Sequence, residues 1–190
     1  AAILGGALSL SGFLLQTFFA NPIAGPYVLG ISSGAKMVVA LTMIIFLEYM
    51  GSFSSYTLIF AAFIGSLIST GFILMLSRKI HHMASLLVGG IMIGYICSAV
   101  TDFVVTFAED SDIVNLHGWS QGSFSGMSWS NVKVATIVVG ITLVFTFFLS
   151  KPIGAYQLGE AYAQSMGVNI KVFRVVLILL SSVFSACVTA

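Results

Sequence analysis

Six stretches of the chain are almost entirely apolar, at residues 1–19, 27–49, 56–76, 84–107, 132–149 and 172–190. The complete ones match one bilayer thickness, about 27–36 Å at the rise of an α-helix. They are too long for barrel strands and lack alternation of period two, so the pattern predicts membrane-crossing helices. The breaks between them carry turn chemistry: Asn21-Pro22 with Gly25-Pro26, Gly51-Ser52, Arg78-Lys79 with His81-His82, an acidic run from Glu109 to Asp112, and Lys151-Pro152 with Gly154. The fold class this predicts is an all-α, polytopic transmembrane bundle, one domain over 1–190. Small residues recur at helical spacing, as close packing in lipid requires: Gly5, Ser9 and Gly12; Ala61, Gly65 and Ser69; Gly90, Gly94 and Ser98.

Composition closes off the alternatives. Of 190 residues, 58% are hydrophobic and 7% charged, against roughly 25% charged in a soluble domain. Too few charges exist to cover a water-facing surface, so the lipid bilayer must supply it. The net charge of +1, without a Lys/Arg cluster, excludes a nucleic-acid partner. Cys97 and Cys187 sit in apolar runs without CxxC spacing and read as small buried hydrophobes. No Met opens the chain, no leader-like start is present, and the last apolar run from Val175 is short for a span; both ends read as cut from a longer protein.

Charge sets the orientation, because alternate connections face opposite sides. One side gathers Arg78, Lys79, Lys151, Lys171 and Arg174, with Lys36 just inside the next span; the other holds Lys133 with Glu48, Glu109, Asp110 and Asp112. The first side is predicted to be cytoplasmic, which makes this a multi-pass protein of the cytoplasmic membrane with Ala1 outside.

Several residues invite a chemical reading. Gly30-Ile31-Ser32-Ser33-Gly34 matches the G-x-S-x-G of serine hydrolases, but that motif works on a strained strand-to-helix turn with His and acid in reach, and here it opens a membrane helix. Packing is the expected role. His81 and His82 point about 100° apart on a helix and cannot share a metal; His117 stands alone, and no metal site is expected. Asp102 extends the Gly90, Gly94, Ser98 row toward the outer end of its span, where it serves either as an interfacial carboxylate or as a pathway residue. Trp119 and Trp129 bracket a structured outer segment, 113–127, fit for an interfacial anchor or a lid. On the inner side, 158–168 reads as a short helix closed by Gly167, with Leu158, Tyr162 and Met166 in one apolar stripe that membrane surface or a soluble partner must cover.

Taken together, Gly5-Gly6-Ala7-Leu8-Ser9-Leu10-Ser11-Gly12, Gln16, Asn21-Pro22-Ile23-Ala24, Pro26 and Leu29-Gly30-Ile31-Ser32-Ser33-Gly34-Ala35 resemble the second span and following loop of FecCD-type permeases. Three later stretches resemble the same family in the same order: Leu86 to Ile91 with Gly94, Trp119 through Gly122, Ser123 and Gly126 to Trp129, and Leu158-Gly159-Glu160 through Gln164 to Gly167-Val168. The resemblance covers nearly the whole chain and implies the second span through part of the seventh of a ten-span permease. Lys36 and Asp102 depart from that family's usual small or apolar residues.

The resemblance implies an importer of siderophore iron, haem or cobalamin. Its partners would be an ABC ATPase subunit, a second permease copy or paralogue, and an extracytoplasmic substrate-binding protein. It further implies that Leu158, Gly159, Glu160, Gln164 and Gly167 meet the ATPase within the cytoplasmic segment 151–171, that the span from residue 84 to 107 walls the pathway, and that 113–127 is an outer gate region. No phosphate-binding loop is present, so ATP-Mg belongs on the partner, this chain binds no cofactor, and it is not itself an enzyme. The competing readings are an ion-coupled secondary transporter using Asp102 and an intramembrane hydrolase using Ser32.

Overall fold

A computed structural model describes residues 1–50, 55–80, 82–124 and 127–189. These form nine α-helices and one 3-10 turn, with no strand among the described residues: α1 (Ala2–Phe19), the turn Pro26–Leu29, α2 (Ile31–Met50), α3 (Ser55–Lys79), α4 (Met83–Val105), α5 (Asp110–Gln121), α6 (Trp129–Phe148), α7 (Ser150–Gln157), α8 (Glu160–Ser165) and α9 (Ile170–Thr189). Helices α1, α3, α4, α6 and α9 are each long and apolar enough to cross a membrane, and α2 adds an apolar stretch over Ile31–Ile44. The Gly51-Ser52 turn and His81 lie outside the described residues.

Helix α9 is the hub, packing on α1, α2, α3 and α6 through Phe173, Leu177, Ile178, Phe184 and Ala186. Its partner α1 buries Ala7, Leu14, Leu15 and Phe18. The two are joined at their small residues: Ser11 Oγ donates to the Ser181 carbonyl (2.8 Å), and Ser181 Oγ donates to the Ser11 carbonyl (3.0 Å). Hydroxyls that would be costly in hydrocarbon thus satisfy one another between close backbones. The second small cluster, Ala35, Val39, Ala40, Met43, Ala61, Ala62 and Leu116, joins α2, α3 and α5.

Two expectations about packing change. Ala61, Gly65 and Ser69 are all buried, but Gly5 and Ser9 are exposed and the space beside Gly5 and Gly12 is open, so the contact face of α1 is Ala7, Ser11, Leu14 and Phe18 instead. The second apolar helix starts at Ile31 rather than Tyr27. Ala20 takes a left-handed turn (φ 47°), the Asn21 carboxamide oxygen accepts from the Ile23 amide (2.9 Å), and Pro22 cannot continue a helix, so α1 stops cleanly. The chain then climbs back beside α1: Ile23 to Tyr27 line a cavity of ≈ 460 Å³ with Gln16, Gly12, Ser9 and Leu8.

Helix α2 consequently begins deep in the bundle. Gly34 abuts Gly65, fourteen residues before the end of α3 at Lys79, about 21 Å along its axis. Lys36 therefore sits half-buried at bundle depth and does not belong in the inner-side charge count. Arg78, Lys79, Lys151, Lys171 and Arg174 still outnumber Lys133.

Candidate functional site

Three connections meet at one end of the bundle, the end where the sequence gathers Arg78, Lys79, Lys151, Lys171 and Arg174. A cavity of ≈ 410 Å³ is lined by Ala20, Asn21 and Pro22 after α1, by Met83 at the start of α4, and by Tyr156, Gln157, Gly159 and Glu160. The long inner segment contains two short helices where one was expected. Gly159 adopts φ 118° and ψ 150°, a conformation that costs a side-chain-bearing residue dearly; it separates α7, closed by Leu158, from a six-residue α8, Glu160–Ser165, so the helix expected over 158–168 is shorter at both ends. Gly167 (φ 85°) follows the end of α8.

The expected apolar stripe survives that split. Leu158, Tyr162 and Met166 are 71%, 46% and 64% exposed, so the described residues leave this stripe largely uncovered. Gln164 and Gly159 are exposed beside them. Glu160 behaves differently: its Oε1 pairs with Arg174 of α9 and accepts from the Tyr156 hydroxyl at 2.9 Å. Tyr156 also reaches the Phe18 carbonyl at the end of α1 (3.4 Å) and packs against Phe173 (centroids 5.3 Å apart), while Gln157 donates to Thr17 (3.2 Å). Burial pushes the Tyr156 phenol above its ordinary 10.0, with Arg174 pulling against that and Glu160 adding to it, so it remains a donor. From the sequence, Arg174 counted only toward orientation and Tyr156 was passed over. The available signal was a lone arginine early in an apolar helix, with an acid in the preceding connection and a tyrosine four residues before that acid.

On the pathway side, Gly30 (φ 68°) lies against α4. A Cβ there would meet the Gly94 amide nitrogen at 2.7 Å and the Gly90 carbonyl at 3.2 Å. Gly34 is as tight against α3, where a Cβ would stand 1.9 Å from Ser69 Oγ. The G-x-S-x-G glycines are thus points of helix contact. Pro26 begins the 3-10 turn, Ser32 is half-buried, and Ser33 lines a ≈ 290 Å³ recess with Tyr27, Ile91, Gly94, Tyr95 and Ser98. Along α4, exposure rises from buried Gly90 through half-buried Gly94 to exposed Ser98 and Asp102. Among the described residues no ion pair involves Asp102, and no group of three potential metal ligands occurs.

At the opposite end, α5 replaces the first part of the expected segment 113–127, starting earlier, at Asp110, with Asp110 and Asp112 in its first turn as the helix dipole favours. Leu116 is buried and Trp119 half-buried against α2, α3 and α4, which fixes the helix across their outer ends. Gly122 caps it (φ 72°), and Ser123 is exposed beyond it. Gly126 lies outside the described residues. Trp129 opens α6, three residues before the expected start.

The family profile of the FecCD transport family matches residues 1–190. This chain belongs to the FecCD transport family. The FecCD chain is 33% identical over its whole length to the hemin transport system permease protein HmuU of Yersinia pestis, covering 57% of that protein. It is 34% identical, again over its whole length, to the vitamin B12 import system permease protein BtuC of Vibrio parahaemolyticus, covering 56%. The chain thus spans just over half the length of these relatives. A solved structure described as a metal-chelate type ABC transporter in an inward-facing conformation shares the fold, with a TM-score of 0.86 at 24% identity over 98% of this chain and 58% of that one. This FecCD chain is accordingly a multi-pass, all-helical membrane protein of a transport family.

Proposed function

We propose that this FecCD chain forms the membrane-spanning pathway of an ATP-driven importer in the cytoplasmic membrane, carrying an iron complex such as a siderophore, or a related chelate such as haem or cobalamin. The observation that carries the reading is the uncovered face of Leu158, Tyr162 and Met166 at the inner end, flanked by Gly159, Gln164 and Gly167. An apolar face held outside the bundle on two short helices suits a soluble partner, here the ATPase that holds ATP-Mg. The haem and vitamin B12 permeases among the relatives support the cargo class.

In this reading the recess by Ser33, Gly94 and Ser98, with Asp102 above it, belongs to the pathway wall. Helix α5, with Trp119, Gly122 and Ser123, forms the outer gate region. A second permease copy or paralogue supplies the facing wall, and an extracytoplasmic binding protein delivers the cargo. A wide pathway with few ligating groups suits a bulky chelate. The deciding experiment places aspartate at Tyr162 and Met166 in the transporter and measures ATPase co-purification and ATP-dependent uptake in vesicles. Both are expected to be lost while membrane insertion persists. Uptake that follows a proton gradient without any ATPase, and that disappears in Asp102→Asn, would replace this reading with an ion-coupled one.

A further inference from the structure

Glu160 stands at the start of the docking segment, yet its carboxylate turns inward. It is held by Arg174 and by the Tyr156 hydroxyl, which itself reaches the last turn of α1 at Phe18. We propose that Tyr156, Glu160 and Arg174 are positioning residues that seat α8 on the α1–α9 pair and pass the partner's push into it, with Glu160 acting inside the permease and not as a direct ATPase contact. The proposal rests on the importer reading above.

Three observations support it. First, α8 has little else to hold it: six residues are too few for a self-supporting helix, and Ala163 is its only buried side chain. Second, Arg174 lies in the second turn of α9, near the positive end of the helix dipole, where a cation gains nothing from the helix itself. Its placement makes sense through Glu160. Third, α9 and α1 are bonded to each other by the reciprocal Ser11–Ser181 pair, seven residues further along α9, about 10 Å away. Force arriving at Tyr162 and Met166 therefore reaches both helices together, α9 through Arg174 and α1 through Tyr156.

Arg174 Nε is buried without a hydrogen-bond partner among the described residues, and Nη2 alone carries the pair with Glu160.

The test uses the whole transporter reconstituted with its ATPase in liposomes, and measures ATPase co-purification and cargo moved per ATP hydrolysed. Arg174→Met, Glu160→Gln and Tyr156→Phe are expected to keep the ATPase bound but to lower cargo per ATP by about fivefold or more, the lower end of the range for coupling between sites. The exchange Glu160→Arg with Arg174→Glu is expected to recover most of that loss, which a merely misfolded variant would not do. Unchanged cargo per ATP in the three single variants overturns the proposal. So does loss of ATPase binding in Glu160→Gln with normal coupling in the complexes that remain, since Glu160 would then be a contact. Failure of the importer reading looks different: the unaltered protein would bind no ATPase at all.

Discussion

Gly65→Ala is the sharpest test of how the pathway helices are held. A Cβ at Gly65 would lie 2.2 Å from the Gly34 carbonyl oxygen, 2.8 Å from its carbon and 2.9 Å from Ala35 Cα, all backbone atoms that no rotamer change can move. Reaching ordinary van der Waals separation requires α2 and α3 to part by about 1 Å. Overpacking of this kind costs about 1–3 kcal/mol, while alanine for glycine inside a helix returns about 1 kcal/mol of propensity. Gly71→Ala in the same helix has open space around it and isolates that gain. The difference between the two variants therefore reads the clash, and is expected at about 2 kcal/mol or more in disfavour of Gly65→Ala. The assay is thermal unfolding in detergent with a thiol-reactive dye, since buried Cys97 becomes reactive when α4 leaves Ser69 of α3. Equal melting temperatures for the two variants would refute the close approach of α2 and α3.

Other substitutions probe different parts. Ser11→Ala and Ser181→Ala should each cost about 1 kcal/mol in the same melt and be non-additive together, since the two hydroxyl oxygens also lie 2.8 Å apart; simple additivity would mean that the side chains do not interact. Asp102→Asn should leave the melting temperature unchanged within about 0.5 kcal/mol equivalents, because the group is exposed and unpaired among the described residues; a large loss would reveal a structural role. A cysteine at the exposed Lys151 should react with impermeant maleimide only from the cytoplasmic side, and labelling from outside would invert the topology. A bulky residue at Gly159, such as Leu, should disturb the break between α7 and α8 through its backbone conformation alone, at a cost of about 1–3 kcal/mol, and lower ATPase capture; unchanged capture would show that the break is not needed for docking.

The spans were legible because hydrocarbon demands long apolar runs and nothing else in the sequence competes with that signal. Ends were less legible where backbone chemistry intervenes. Tyr27 and Leu29 are apolar and join the pattern of the following span, but Pro22, Gly25 and Pro26 keep the chain out of helix until Ile31. The Leu158, Tyr162, Met166 spacing pointed to an uncovered stripe, although Gly159 breaks the helix that spacing assumes. Small-residue rows were ambiguous, since spacing says which residues share a face and not what that face meets: Gly65 is locked against Gly34, whereas Gly5 and Ser9 are exposed. The Tyr156–Glu160–Arg174 network was out of reach because its ion pair joins residues fourteen apart across a bend.

The returning stretch after α1 has an electrical consequence. Non-helical backbone at this depth is tolerated only where protein buries it or water reaches it, and residues 23–27 border open space beside Ser9, Gly12 and Gln16. Water admitted there from the inner side would bring the cytosolic potential up to the level of Gly30, so the membrane field would fall mainly across α2 and the outer part of α4. Lys36 and Asp102 would then stand within that compressed field, where any displacement of their charges would couple to voltage more strongly than their depth alone would allow.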